Sequence, residues 1–275
     1  MSERVLVDIT DGVADVRMNR PDKINALDPA MFGALADAAR RLADDASVRA
    51  VVLSGEGRGF CAGLDFSSFQ AMAGDADAPR DESAGDPSFI GAVPDGKITH
   101  GAQWVADAWR TMPAPVIAAV HGVALGGGCQ IALGADLRVV APDARLSMLE
   151  IRWGLSPDMT GTQRLIELVG LDRAKELVFT GRMVEGTEAH HLGLATTLAQ
   201  EPHRAALELA ADIAANSPHA VRAAKRLLNE AARRTLADGY RAEREEIGRL
   251  IGSPNQVEAV TAYFEQRPPD FADPE

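Results

Sequence analysis

The strongest constraint on the fold is a set of three short apolar runs in the middle of the chain. They occupy residues 50–54 (AVVLS), 115–120 (PVIAAV) and 137–141 (LRVVA). Runs of this length and composition are typical of strands that are buried on both faces of a sheet. Each run is followed by glycine or a turn and then by a segment with helical spacing. Strands that alternate with helices in this way predict an α/β fold.

The N-terminal residues predict a β-hairpin followed by a helix. Apolar residues alternate over residues 5–9 and 16–18, and an Asp-Gly pair at residues 11–12 separates the two stretches. This pattern is typical of two strands joined by a tight turn. Asp28 and Pro29 then supply an N-cap residue and a proline at the first helical position.

The pattern of elements changes along the chain and predicts its organisation. Residues 1–199 contain the strand-like runs and form the predicted α/β core. Residues 200–275 are mostly helical in pattern, with a break at residues 216–218 and a further helix that begins at Ser253. Residues 74–101 are rich in Asp, Gly, Pro and Ser and show neither period, so they predict a long irregular loop.

Charge and apolar content exclude several classes of partner. The 275 residues include 28 Lys and Arg against 40 Asp and Glu, which gives a net charge of −12. A nucleic-acid-binding protein needs basic surface to neutralise phosphates, so we expect no nucleic-acid partner, and the charge argues weakly against an anionic membrane surface. Residues 1–11 lack an apolar signal segment, and no apolar stretch reaches the roughly 20 residues that span a bilayer. We therefore expect a cytoplasmic protein without a membrane partner.

Cysteine and histidine content argues against a disulfide scaffold and a metal site. Cys61 and Cys129 are the two cysteines, and neither lies in an array with metal-ligand spacing. His190 and His191 are adjacent, so on a helix they point about 100° apart, and no third ligand accompanies them. We predict no metal.

Two glycine-rich turns follow predicted strands and are candidates for ligand binding. One spans residues 55–65 and the other spans residues 121–130. Glycine lets a backbone approach a ligand closely, and a helix that begins at such a turn presents free N–H groups. Neither turn has the spacing of a phosphate loop or a dinucleotide fingerprint. The two turns could aim two backbone donors at one point, or they could be tight strand–helix connections only.

Two acidic residues form a candidate acid–base pair. Glu150 and Asp158 are eight residues apart, and Gly154 and Pro157 can turn the chain between them. Burial and mutual repulsion raise carboxylate pKa values toward working pH, which suits proton transfer. The alternative is that Glu150 is a surface acid at the end of a strand and that Asp158 is a helix N-cap.

Four segments together resemble the enoyl-CoA hydratase/isomerase (crotonase) family. They are residues 19–27 (NRPDKINAL), 59–65 (GFCAGLD), 115–130 and 150–165, in that family's order and spacing. The resemblance implies a spiral of ββα units, a helical C-terminal region that drives trimerisation, and acyl-coenzyme A thioester substrates. It implies a homotrimer or a dimer of trimers, and no cofactor, because coenzyme A is part of the substrate.

The resemblance also assigns roles to positions of this chain. It implies that the N–H groups of Leu64 and Gly127 form an oxyanion hole for the thioester oxygen. It implies that the backbone of Ala62 contacts the adenine. The positions expected to contact the substrate are Lys23, Ala62, Gly63, Leu64, Asp65, Gly127 and Gln130, with Arg58 and Arg267 as further candidates for the phosphates.

The acidic positions distinguish between reactions. Hydratases of the family carry glutamates at the positions of Gln130 and Glu150, and an amide cannot take a proton from water. Dienoyl-CoA isomerases carry an aspartate at the position of Asp158, paired with the glutamate matched by Glu150, although their third acid also falls at Gln130. The leading hypothesis is therefore a double-bond isomerase that uses Glu150 and Asp158. The alternatives are a hydratase in which Gln130 orients water, and a non-catalytic acyl-CoA-binding protein.

Overall fold

The computed structural model describes residues 3–65, 93 and 95–274 of the chain. Most of the irregular loop predicted at residues 74–101 therefore lies outside the described residues. The predicted end of that loop is wrong by one residue, because a helix begins at Gly101, where the His100 ring accepts a hydrogen bond from the Gln103 N–H.

Strands of the described chain form two sheets. The strands are β1 (Val5–Thr10), β2 (Val13–Met18), β3 (Ala50–Gly55), β4 (Val116–Val120), β5 (Val123–Leu125), β6 (Leu137–Val140), β7 (Arg145–Ser147), β8 (Val184–Glu185) and β9 (Thr197–Leu198). The larger sheet has the order β1-β2-β3-β4-β6-β9, and the smaller sheet has the order β5-β7-β8. β1 and β2 form the predicted antiparallel hairpin, and all later neighbours in the larger sheet are parallel.

Helices follow the strands in a regular way. Those described are α1 (Pro29–Asp44), α2 (Gly101–Thr111), α3 (Gly127–Gly134), α4 (Gly161–Val169), α5 (Leu171–Thr180), α6 (Gly186–Leu192), α7 (Pro202–Ala214), α8 (Pro218–Ala231), α9 (Leu236–Leu250) and α10 (Pro254–Glu265), with short 3-10 helices at Pro21–Lys23 and Glu150–Trp153. The described elements include β1-β2-α1, β4-β5-α3 and β6-β7-α4, so two strands repeatedly precede a helix. This confirms the expected ββα architecture.

The three apolar runs are buried because helices cover both faces of the larger sheet. In β3, Val51 and Leu53 pack into the main core, whereas Ala50 and Val52 pack on the opposite face with small residues of α7. Successive strand residues point to opposite faces, so a strand covered on both sides is mostly apolar.

Helix starts are where the sequence predicts them. Asp28 caps α1 by accepting a hydrogen bond from the Met31 N–H at 2.7 Å, and Ser253 caps α10. The predicted break before Pro218 separates α7 from α8. A second break, at residues 232–235, was not predicted, and neither were β8 and β9, which are only two residues each and too short to show a period.

The C-terminal helices are attached to the core through α7 and α8. On α8, the Lys225 Nζ lies 2.6 Å from the Asp136 Oδ2 and donates hydrogen bonds to the carbonyls of Ala114 and Trp109. α9 has no buried residues, and it exposes Leu236, Tyr240 and Ile247. The trimerisation role of this region stays a prediction, as does the division of the chain after residue 199.

Candidate active site

The two glycine-rich turns lie side by side. The Cys61 N–H donates to the Val123 carbonyl and the Leu125 N–H donates to the Cys61 carbonyl, both at 3.0 Å. Gly63 has a φ of +86°, and a Cβ atom there would lie 2.6 Å from the Leu125 carbonyl oxygen and 3.7 Å from the Gly127 nitrogen. The close approach of the two turns therefore requires glycine at position 63.

This approach places two backbone donors near one another. Leu27 donates to the Gly63 carbonyl and accepts from the Asp65 N–H, so the N–H of Leu64 between them points away from this bridge. Gly127 is the first residue of α3, where a helix has no acceptor for its N–H. Neither N–H finds an acceptor in the described part of the chain. The arrangement can bind a developing negative charge.

Glu150 lies beside the second turn. It begins the 3-10 helix Glu150–Trp153 and is 9% exposed. Its Oε1 accepts a hydrogen bond from the Gln130 Nε2 at 2.6 Å, and its buried Oε2 has no partner within the described residues. A Cβ atom on Gly126 would lie 3.3 Å from the Glu150 Oε1, so the carboxylate is next to the residue that precedes the Gly127 donor.

Burial raises the pKa of Glu150 above its ordinary value, and the negative charge of Asp158 adds to this rise, whereas the hydrogen bond from Gln130 lowers the pKa. A carboxylate with a raised pKa and one unpaired oxygen can act as a base toward a carbon acid in the same pocket.

Gln130 is completely buried, and both ends of its amide are engaged. Its Oε1 accepts hydrogen bonds from the N–H groups of Met159 (2.8 Å) and Gly161 (3.1 Å), and its Nε2 donates to Glu150. A carbonyl oxygen has two lone pairs. Both are used by these contacts.

Asp158 retains contact with solvent at the edge of the site. Partial desolvation raises its pKa, and the neighbouring His100 opposes this rise. The alternative that Asp158 caps α4 is wrong, because the residue at that N-cap is Thr160, which has a φ of +67° and makes no side-chain cap bond. The alternative that Glu150 is a surface acid is also wrong, because Glu150 is buried.

The residues expected to bind the rest of the ligand lie in or beside the first turn, except for Arg267. Lys23 and Arg58 are exposed. The Ala62 N–H donates to the Ile24 carbonyl at 2.9 Å. Asp65 is buried and forms an ion pair with Arg20 at 2.5 Å. Arg267 lies in the C-terminal tail, where Glu258 and Glu265 bind its guanidinium group.

Sequence reasoning assigned no role to Asn25, which supports the first turn. Asn25 is completely buried, and its Nδ2 contacts the carbonyl oxygens of Glu56, Gly59 and Phe60 at 2.9 to 3.1 Å. The sequence did contain a signal for this role, because Asn25 is a polar residue between the apolar Ile24 and Ala26 in the segment at residues 19–27.

The described residues contain neither a metal-binding cluster of side chains nor a membrane-spanning helix. Within the described residues, no group of three His, Cys, Asp or Glu side chains is placed to hold a metal ion. Over the same residues, the helices are too short or too polar to cross a membrane. The absence of a metal and the cytoplasmic location stay predictions.

Comparisons with known proteins show the family to which the chain belongs. Residues 13–273 match the family described as enoyl-CoA hydratase/isomerase. A Mycobacterium leprae protein named as an enoyl-CoA hydratase is 34% identical over 271 residues, which cover 98% of each chain. The short-chain-enoyl-CoA hydratase of Clostridium acetobutylicum is 32% identical over 96% of this chain and 95% of its own. The crystal structure of an enoyl-CoA hydratase from Bacillus anthracis superposes with a TM-score of 0.84, at 31% identity over 98% of each chain. The chain belongs to the enoyl-CoA hydratase/isomerase family.

Proposed function

We propose that this protein is an isomerase that moves a double bond in an unsaturated fatty acyl-CoA. The observation that carries the proposal is the state of the Glu150 carboxylate, which has one oxygen bound to Gln130 and the other buried and unpaired. For the Glu150 carboxylate to act as a base, the substrate must present an acidic C–H bond next to it. The carbon next to a thioester carbonyl is such an acid, because the oxyanion hole can stabilise its enolate.

The proposed reaction is a proton transfer in two steps. Glu150 removes a proton from C2 of a 3-enoyl or 3,5-dienoyl thioester, and the C–H electron pair enters the conjugated enolate. The N–H groups of Leu64 and Gly127 donate to the thioester oxygen, where loss of one donor typically costs about 3 kcal/mol. A proton then returns to the far carbon: Glu150 delivers the proton that it holds when that carbon is C4, and Asp158 supplies one when it is C6. The product is the conjugated 2-enoyl or 2,4-dienoyl thioester.

Hydration of a 2-enoyl thioester is the second candidate, and the names of the relatives favour it. In that reaction, Glu150 alone would exchange protons while Gln130 oriented the attacking water. The Gln130 carbonyl already accepts two backbone N–H bonds and one amide N–H binds Glu150, so a single N–H remains to contact the water, and the Gln130 position supplies no base. This argues for isomerisation over hydration.

The proposal includes the binding of the coenzyme. We expect the Ala62 backbone to contact the adenine, Lys23 and Arg58 to pair with the phosphates, and Gly63, Asp65 and Gln130 to complete the walls of the site. The proposed chemistry uses only carboxylates and backbone donors, so we propose that no cofactor is required.

Ultraviolet absorbance of the conjugated enoyl thioester distinguishes the candidates. With the wild-type protein, 3-enoyl-CoA and 3,5-dienoyl-CoA should give an increase in absorbance, and 2-enoyl-CoA should give little change. Asp158→Asn should slow the dienoyl reaction by roughly 10²-fold or more, because general acid–base groups contribute about that much. Asp212→Asn, an exposed substitution on α7, is the matched control and should have no effect.

Other outcomes would contradict the proposal. A decrease in absorbance with 2-enoyl-CoA, unaffected by Asp158→Asn and without isomerisation of the other substrates, would identify a hydratase. Calorimetric binding of acyl-CoA without turnover of any of the three substrates would identify a non-catalytic acyl-CoA-binding protein.

A further inference from the structure

Gln130 contacts both segments that carry the candidate acids, although it takes no part in the proposed proton transfer. Its Nε2 donates to the Glu150 Oε1 at 2.6 Å, and its Oε1 accepts from the N–H groups of Met159 and Gly161 at 2.8 and 3.1 Å. One buried amide therefore links α3, the 3-10 helix that begins at Glu150, and the segment that follows Asp158.

The segment held by the Gln130 carbonyl contains a strained residue. Thr160 lies between the two N–H donors and has a φ of +67°, and a β-branched residue in this region is an outlier. Such conformations are strained and persist only where the surroundings enforce them. The Gln130 side chain also packs closely against Gly161, because a Cβ atom on Gly161 would lie 2.6 Å from the Gln130 Cγ. The bonds to Gln130 are the contacts that flank the strained residue.

We propose that Gln130 is a positioning residue whose amide holds Glu150 and the Asp158 segment at a fixed separation. The Nε2 bond fixes one Glu150 oxygen, Oε1, and leaves the other, Oε2, unpaired for the C2 proton. The Oε1 bonds hold the chain from Met159 to Gly161, and thereby keep Asp158 at the far end of the double-bond system. This inference rests on the proposed function, because it assigns the two acids to different carbons.

The same bond has an electrostatic effect. A hydrogen bond donated to a carboxylate favours its ionised form, so Gln130 lowers the pKa of Glu150 against the effect of burial. Among the described residues, Asp158 raises the pKa of Glu150 and His100 lowers the pKa of Asp158, while Glu150 raises the pKa of the Cys129 thiol. Loss of the Gln130 donor should therefore move the acidic limb of a Glu150-dependent rate to higher pH.

The test compares Gln130→Met, which keeps the length of the side chain and loses every hydrogen bond, with Gln163→Met on the exposed face of α4 as the control. Two rates are measured against pH in deuterated water. One is exchange of the C2 protons of a saturated acyl-CoA, which requires Glu150 alone, and the other is isomerisation of 3,5-dienoyl-CoA.

We expect kcat for isomerisation to fall by roughly 10²-fold, as displacement of a catalytic group by about 1 Å can do, with a small change in KM. We also expect exchange to fall less than isomerisation, and both acidic limbs to move to higher pH.

Three results separate the possibilities. Unmoved acidic limbs, or equal loss of exchange and isomerisation, in a folded Gln130→Met protein would overturn the positioning role. If that variant does not fold, Gln130→Asn replaces it, because an amide one methylene shorter cannot reach both Glu150 and the N–H groups of Met159 and Gly161, and it adds no charge beside Glu150. Wild-type acidic limbs and equal loss of exchange and isomerisation in Gln130→Asn would likewise overturn the proposal. Absence of isomerisation by the wild-type protein would contradict the proposed function itself, and the exchange profile would still report on Gln130 and Glu150.

Discussion

At the scale of single residues, the properties of the site depend on how one carboxylate is partnered. Glu150 is buried, and its two oxygens differ in their surroundings, because Gln130 binds one and nothing described binds the other. A buried charge without full pairing costs stability. The same incomplete pairing leaves a lone pair available to abstract a proton, so function and stability make opposite demands on this residue.

Glu150→Gln should separate these two demands. Activity should fall by about 10²–10⁴-fold, because the base is lost, while the new amide oxygen can still accept from Gln130. The pKa of Glu150 is raised in the folded protein, so its favourable contribution is present below the unfolded value of 4.5 and is lost as pH rises through the folded pKa. The variant should therefore melt at a higher temperature than the wild type at neutral pH, and this gain should shrink as pH falls toward 4.5.

Thermal denaturation across this pH range measures the effect. Glu243→Gln, on the exposed surface of α9, is the matched control and should change the melting temperature little. A Glu150→Gln protein that is less stable than the wild type at neutral pH would contradict this account.

At the scale of elements, the turn between β5 and α3 places a backbone donor where side-chain atoms leave no room for a Cβ. A Cβ atom on Gly127 would lie 2.9 Å from the Met159 Sδ and 3.0 Å from the Leu27 Cδ1. Both side chains are buried. The start of α3 is therefore set by packing against two other segments, one of which is the segment that Gln130 holds.

Gly127→Ala should impair both packing and catalysis. Insertion of a methyl group into a packed site costs about 1–3 kcal/mol, and displacement of the N–H donor should reduce kcat by about 10²–10³-fold. Gly33→Ala is the control, because Gly33 lies in α1 with no atom within 4 Å of its Cβ position. That change should stabilise the protein by about 0.5–1 kcal/mol. Denaturant titration and steady-state kinetics measure the two effects, and a fully active Gly127→Ala enzyme would rule out a tightly placed donor.

At the scale of the whole molecule, a buried ion pair joins the C-terminal helices to the sheet. Lys225 of α8 contacts Asp136, which also accepts a hydrogen bond from the Val116 N–H at 2.7 Å at the start of β4. The Lys225 Nζ also donates to two carbonyl groups, that of Trp109 in α2 and that of Ala114 before β4. One side chain therefore satisfies acceptors from separate parts of the core.

Lys225→Met should destabilise the protein strongly. Removal of one partner of a buried pair leaves the other charge uncompensated and costs about 3–5 kcal/mol. Arg226→Met removes a neighbouring ion pair with Glu246, in which the arginine is 52% exposed, and should cost at most about 1 kcal/mol. Chemical denaturation of the two variants measures the difference, and equal losses would show that Lys225 is not a principal attachment.

Local patterns in the sequence determined the secondary structure and the family of this protein. The apolar runs at residues 50–54 and 115–120 predicted buried strands, because burial on two faces requires apolar residues throughout. Asp28 and Ser253 marked helix starts, because a cap bonds only to its own first turn. Strands β8 and β9 were missed, because a strand of two residues shows no periodicity. Each of them pairs with a strand from a distant segment, β8 with β7 and β9 with β6.

The positions of the candidate site were also visible in the sequence, because Glu150, Asp158 and the two glycine-rich turns lie in ordered motifs. Only the tertiary structure decided how they are connected. The Gln130 amide, the unpaired oxygen of Glu150 and the Lys225–Asp136 pair depend on atoms that are between 20 and 89 residues apart in the chain. Hydrogen-bond partners and burial at such separations follow from the packing of the whole chain, and no local spacing encodes them.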